Sequence, residues 1–409
     1  MIGMCYQPIG LVCTGDTLVV GAQAEDSAAT GINGNQADNT APDTGAAYVF
    51  VRSGTTWTQQ AYLKASNAEA GDGFGFSLAS DTNRILVGAP FEDSNASGSN
   101  NGIGEQNNDL PGAGAAYLFH QFNGLWTQEA YLKTNHRTKD EAFGHAVAME
   151  EGTIVIGSPY ADGYEAVKTG LITVFVYQGA GVGWHHSQTM GSPGPNTGDG
   201  FGQSVAITNQ RIAVGAYGED SNATLINGDS SNNTAANAGA AYIYDRHPTF
   251  YEHVWHPTTY IKASNTDAVD IFGRNLAFCG PTLLVGAPYE DSAAQGTNGN
   301  QTNNSLASAG AVYRYIWDGS QWQHRHYNKA LNPDALDYFG MRLACHDQLL
   351  AVSAPGEDSA AQGVNGDQTD NSALDAGAVY VLSLPMQGYT HLPAVTGEEI
   401  TSPYPLPQR

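Results

Sequence analysis

The chain has 409 residues, with 40 acidic and 16 basic side chains and a formal charge of −24. That balance lacks the basic footprint of a nucleic-acid binder and disfavours an anionic membrane surface, whereas it suits divalent cations, cationic partners or simple solubility. No apolar run approaches the ~18 residues of a membrane span, and the opening MIGMCYQPIGLVC lacks the basic start and clean apolar segment of a signal peptide.

One phrase, an apolar strand followed by a tight turn and an acidic loop, recurs along the chain. Repeat 1 has a degenerate opening at Gln7-Pro8, then VVGAQAEDS from Val19, a polar loop over Glu25 to Asn39, and Gly45 to Tyr48. Repeat 2 is the clearest. It predicts strand a over Phe74 to Ser80, strand b over Arg84 to Pro90, and a long loop to Ala113. Strand c follows over Gly114 to Phe122, then an Asn123-Gly124 hairpin turn and strand d over Leu125 to Lys133. Repeat 3 carries VIGSPYADG from Val155 and only a short loop at Tyr160 to Tyr164. Repeat 4 carries AVGAYGEDS from Ala213, repeat 5 LVGAPYEDS from Leu284 and repeat 6 AVSAPGEDS from Ala351. The anchors Gly21, Gly88, Gly157, Gly215, Gly286 and Ser353 are 67, 69, 58, 71 and 67 residues apart, a period that marks a repeat architecture. Repeat 6 ends after strand c at Leu384, and residues 385–409 read as a Pro-rich tail or linker.

No segment sustains a 3.6-residue apolar period, so the expected class is all-β. Four short antiparallel strands repeated radially make a β-propeller, with residues 1–384 as one domain of six visible blades, or seven if sequence outside the chain completes it. Met386 to Leu392 could instead complete the last blade. Phe-Gly opens strand a in Phe74-Gly75, Phe143-Gly144, Phe201-Gly202, Phe272-Gly273 and Phe339-Gly340. There a bare backbone permits close approach at the axis, and the Phe can wedge between sheets. Trp57, Trp126, Trp184, Trp255 and Trp322 recur at the start of strand d and suggest packing between blades.

The Phe-Gly opening, Gly-Ala-Pro (Gly88 to Pro90; Gly286 to Pro288) and Gly-Ala-x-Tyr (Gly45 to Tyr48; Gly114 to Tyr117; Gly239 to Tyr242; Gly310 to Tyr313; Gly377 to Tyr380) together resemble the FG-GAP repeat. That repeat builds the propeller of integrin α subunits and related propellers of bacterial surface and secreted proteins. The resemblance implies a fold more than a function.

Strand alternation puts the b–c loops and the d-to-a crossovers on one face. Five b–c loops carry Glu-Asp-Ser; four continue to Asn-Gly-Asn/Asp, and Glu92 to Asn108 is a variant with extra residues. A hard cation such as Ca2+ wants six to eight oxygens from side chains and backbone. Candidate ligands are Asp26, Asn33, Asn35 and Asp38 in repeat 1, Asp93 in repeat 2, and Asp220, Asn227 and Asp229 in repeat 4. Repeat 5 offers Asp291, Asn298 and Asn300, and repeat 6 offers Asp358, Asn365, Asp367 and Asp370. The same residue types also cap turns through their own backbone without any metal. Crossover acids join that face: Asp72, Asp199, Asp270 and Asp337 two residues before a Phe-Gly, and Asp140 three before. The integrin calcium motif lies between strands a and b, where these turns are short and lack it.

The other motifs are weaker. His185-His186 and His324-Arg-His326 lie on or near d strands, as exposed outer-strand residues before metal ligands. Asn95, Asn222 and Asn300 head glycosylation sequons. Of the four cysteines, Cys13, Cys279 and Cys345 fall on equivalent strands; buried free thiols are the expectation, a cross-blade disulfide the alternative. No hydrolase, zincin, phosphate-loop or dinucleotide motif appears. The functional expectation is a non-catalytic extracellular or cell-surface binding and adhesion module. Its acidic loop face would take a protein or glycan ligand, without nucleic acid or membrane insertion. The alternatives are a self-assembling structural subunit of a surface layer or filament, and a propeller enzyme or lectin acting on glycans.

Overall fold

The computed structural model describes residues 10–100, 106–136, 138–163, 167–248 and 253–384. Six antiparallel sheets follow one another along the chain. Blade 1 is β1 (Leu11–Thr14), β2 (Thr17–Ala22), β3 (Ala46–Ser53) and β4 (Thr56–Leu63). Blade 2 is β5 (Ser77–Ser80), β6 (Arg84–Ala89), β7 (Gly98–Asn100), β8 (Ala115–Phe122) and β9 (Leu125–Lys133). Blade 3 is β10 (Ala146–Glu150), β11 (Thr153–Ser158), β12 (Leu171–Tyr177) and β13 (Trp184–Met190). Blade 4 is β14 (Phe201–Thr208), β15 (Arg211–Ala216), β16 (Ala240–Pro248) and β17 (His253–Ile261). Blade 5 is β18 (Asn275–Cys279), β19 (Thr282–Ala287), β20 (Ala311–Trp317) and β21 (Trp322–Asn328), and blade 6 is β22 (Leu343–His346), β23 (Leu349–Ala354) and β24 (Ala378–Ser383). No helix occurs among the described residues. The architecture is the expected all-β propeller with six blades.

Two blades depart from four strands. In blade 2 the longer b–c loop folds back as β7 and pairs with the outer edge of β9. Blade 6 has three strands among the described residues, and Met386 to Leu392 lie outside them. Each outer hairpin carries a bulge at the equivalent place, for example at Val49/Phe50, Leu118/Phe119 and Val174/Phe175, which adds twist to the outer strands.

Strand a starts later than its Phe-Gly suggests. Gly75 takes φ 94° and turns the chain, so the ladder begins at Ser77, and Phe74 pairs only through a single parallel bridge to Gly45. Blade 4 is different, with β14 starting at Phe201 itself. The close approach is real: a Cβ on Gly88 would lie 2.0 Å from the Gly144 carbonyl oxygen of the next blade. The five phenylalanines are fully buried, and Phe74 meets Tyr117 and Phe119 edge-on. Each such ring stabilises by roughly 1.5–3 kcal/mol.

Packing runs between neighbours. Five apolar clusters join blades 1–2, 2–3, 3–4, 4–5 and 5–6; among the described residues none joins 6 to 1. Central strands such as β11 and β19 are buried on both faces. Blade 6 buries Leu350, Val352 and Ala354 against blade 5 but leaves Val379 and Val381 68% and 66% exposed on its outward face. The tryptophans follow this pattern. Trp184, Trp255 and Trp322 are buried, Trp126 is half-buried and bonds Gln60 of blade 1, and Trp57 of blade 1 is exposed.

The cysteines correct the free-thiol expectation. Cys279 and Cys345 form a disulfide between blades 5 and 6, and Cys13 is a free, exposed thiol. The reason is geometric: innermost strands of adjacent blades crowd, which brings these Cα atoms within 5.7 Å.

Candidate functional site: the acidic loop face

The three residues of each Glu-Asp-Ser have three separate tasks. The Glu turns inward and pairs with a lysine at the end of strand d: Glu25 with Lys64, Glu92 with Lys133, Glu219 with Lys262 and Glu290 with Lys329, at 2.7–2.9 Å. Glu92, Glu219 and Glu290 also accept from the hydroxyls of Tyr131, Tyr260 and Tyr327. Burial lowers the pKa of all four lysines, and the paired carboxylate opposes that shift. Glu92, Glu290 and Glu357 further accept from Asn67, Asn265 and Asn332 of the preceding crossover, which ties each blade to the next.

The Asp closes the loop on itself. Oδ1 of Asp26, Asp93, Asp220, Asp291 and Asp358 accepts the backbone N–H of Asp43, Gly112, Asn237, Ser308 and Asp375. The Ser closes a smaller circle: Ser27, Ser221, Ser292 and Ser359 donate to the carbonyls of Asn35, Asp229, Asn300 and Asp367. Asn33, Asn227 and Asn298 sit at positive φ and accept from the N–H of Tyr62, Tyr260 and Tyr327, fastening the loop to strand d. Asn365 shares that positive φ. Asn35, Asp38, Asp229, Asn300, Asp367 and Asp370 each cap a turn two residues on. Every candidate cation ligand but Asn365 therefore accepts a bond from the chain's own backbone. Among the described residues no three His, Cys, Asp or Glu side chains converge on one point.

The crossover acids do lie beside these loops, with one change. Asp72, Asp199, Asp270 and Asp337 are buried, and each accepts an N–H from three residues earlier: Glu69, Asn196, Asp267 and Asp334. Burial, helped by the neighbouring acids, pushes their pKa values up to about 7, 7, 8 and 6. In the second crossover, which leads into blade 3, the equivalent side chain is the buried Glu141, which bonds His136 and Thr138, whereas the expected Asp140 is exposed. Positive φ at both Asp140 and Ala142 turns the chain so that Glu141 points inward.

Two blades lack a full set. Blade 3 has Ala161 where Glu stands elsewhere and Gly191 where Lys stands, so both halves of the ion pair are gone together. Blade 6 keeps Glu357, held by Asn332 and the Ser359 N–H. The His324 and His326 pair stays bland: His324 stacks near Tyr313 and Tyr315, and His326 meets Asn298.

Three stretches, residues 57–102, 126–175 and 184–244, match the FG-GAP repeat family. These stretches carry FG-GAP repeats. Each FG-GAP match begins on the outer strand of one blade and runs into the next, so the first one holds Lys64, Asn67 and Glu92 together. The FG-GAP unit is thus offset from the blade and contains the link between blades. No curated protein matches the chain. Among solved structures, a putative 6-phosphogluconolactonase from Bacteroides uniformis ATCC 8492 is similar at 8% identity and a TM-score of 0.48, over 92% of this chain and 88% of that one.

Proposed function

We propose that this FG-GAP propeller is a non-catalytic binding or adhesion module that works outside the cytoplasm and uses its b–c loop face for contact. The observation that carries the reading is the clasping of five acidic loops on one face. Asp and Ser caps hold each loop before any partner arrives, which lowers the ordering cost of binding. The Cys279–Cys345 disulfide suits an oxidising compartment. Exposed acids such as Asp43, Asp109, Asp267, Asp370 and Asp375 give the face its charge.

Protein and glycan arrays probed with the whole chain test this. A variant with those five acids changed to Asn should lose its ligands. A control with Glu151→Gln and Asp347→Asn, on the opposite turns, should keep them. Loss in the control alone, or in neither, would overturn the assignment of the face.

Ca2+ belongs to the same proposal. Oδ1 of Asp38, Asp229, Asp367 and Asp370 is taken by turn N–H groups, so the ion would use the second carboxylate oxygens. Affinity is then expected near the ~10⁻⁴–10⁻³ M of extracellular calcium modules. A second reading, a self-assembling subunit of a layer or filament, is favoured by the open apolar face of Val379 and Val381. Light scattering across a concentration series separates it from a monomeric binder.

A further inference from the structure

Blade 3 is hollow where its neighbours are filled. Under the b–c loop of blade 2 lie Glu92, Lys133, Tyr131 and Tyr117, all buried. In blade 3 Thr173 faces Thr189 as Tyr117 faces Tyr131, and Met190 faces Ile172 as Leu132 faces Ala116, so Gly191 takes the place of Lys133. Ala161 accepts the Gly170 N–H as Glu92 accepts that of Gly114, which puts Ala161 in the place of Glu92. Four large side chains have become Ala, Gly, Thr and Thr. Protein interiors hold few voids larger than a water molecule, so a change of this size must either collapse the blade or leave space. Beside two of these four positions, Thr189 and Gly191, lies a cavity of about 510 Å3, inside the ~300–1,000 Å3 range of small-molecule sites.

The lining combines hydrogen-bonding groups with apolar walls. Ser192 borders the cavity, is only 8% exposed, and its Oγ has no hydrogen-bond partner. In this rotamer the oxygen is closed off from the cavity; turned into it, the hydroxyl would meet a ligand hydroxyl and recover the roughly 1–3 kcal/mol that an unpaired buried hydroxyl costs. His186 meets Thr189 Oγ1 at 2.9 Å, and burial lowers its pKa, so the imidazole is neutral at pH 7. Asp162 and His136 complete the polar side; Leu171 and Pro195 supply apolar surface.

We propose that the blade 3 cavity binds a neutral polyhydroxylated ligand, a mono- or disaccharide. The hydroxyl, carboxylate and imidazole groups meet sugar hydroxyls, and Leu171 and Pro195 cover the C–H faces. This assignment rests on the binding-module reading and gives it a ligand class and a location.

The test is calorimetric titration of the full chain with glucose, galactose, mannose, lactose, maltose and cellobiose. At least one is expected to bind. Ser192→Ala should weaken that sugar by about tenfold, and Ala161→Glu with Gly191→Lys should refill the cavity and abolish binding. A Cβ on Gly191 comes no nearer than 3.4 Å to its neighbours, so the backbone accepts the lysine. Absence of binding by every sugar overturns the proposal, as does unchanged affinity in Ser192→Ala. The face variant of the preceding section should retain sugar binding, so failure of the cavity and failure of the acidic face are read separately.

Discussion

The buried ion pair of blade 2 permits a quantitative prediction. Lys133 Nζ lies 2.7 Å from Glu92, and both side chains are 1% exposed. Glu92 also accepts from Tyr131, Asn67 and the Ser94 N–H, so its position is fixed by four donors. Lys133→Met removes the cation and leaves a carboxylate held in place without its counter-charge. Breaking a buried pair in this way costs about 3–5 kcal/mol. Replacing both partners is a different perturbation, because no unpaired charge remains. Glu92→Gln with Lys133→Met should cost less than Lys133→Met alone, giving a favourable coupling of at least about 1 kcal/mol in a double-mutant cycle. Blade 3 is the natural precedent, since it dispenses with Glu and Lys together. The assay is urea denaturation of wild type, both single variants and the double variant at pH 7. A cost below about 1 kcal/mol for Lys133→Met, or additive single costs, would refute the reasoning.

Other outcomes follow from the same geometry. Asp270 has a pKa raised to about 8 in the folded chain. A raised carboxyl favours folding while it stays protonated, so stability falls as pH climbs from ~4 towards 8. Asp270→Asn should therefore raise the melting temperature at pH 8, with the gain shrinking at pH 5; a pH-independent difference would contradict this. Reduction of Cys279–Cys345, which spans 66 residues, should cost about 4 kcal/mol in the chain-entropy account; denaturation with and without a non-thiol reductant reads it. Ca2+ at ten times a millimolar dissociation constant should stabilise by about 1.4 kcal/mol, and a thermal melt unchanged by chelator would remove the ion from the loops.

Much of the fold was legible because strand period, Gly placement and the Phe-Gly opening all act locally. Phe74 and Gly75 need only their neighbours in sequence to announce a turn into a strand, and a fixed repeat does the rest. The loops were harder. Asp26 and Asp38 suit either a cation or a turn cap by residue type, and the N–H groups of Asp43 and Thr40 that they accept come within reach only when the loop closes. The task of Glu92 was hidden because its lysine lies 41 residues away. A signal was nonetheless present: four of the six lysines stand in Tyr-x-Lys at Lys64, Lys133, Lys262 and Lys329, in register with the glutamates. The hollow of blade 3 could also have been seen as the joint absence of Glu and Tyr-x-Lys from one repeat. The Cys279–Cys345 bond depends on how tightly inner strands crowd, which periodicity does not report.

The open outward faces of the first and last blades imply an uneven distribution of motion. Among the described residues each blade leans only on its neighbours, so they behave as a one-dimensional stack whose terminal units have a single support. Such units fray first, and amide hydrogens should exchange fastest in β1 and β24 and slowest in β11 and β15. The disulfide sits at one of these ends and joins blade 6 to blade 5. It therefore acts as a clamp against fraying on that side, and the opposite end, which carries none among the described residues, becomes the point from which the blades would peel.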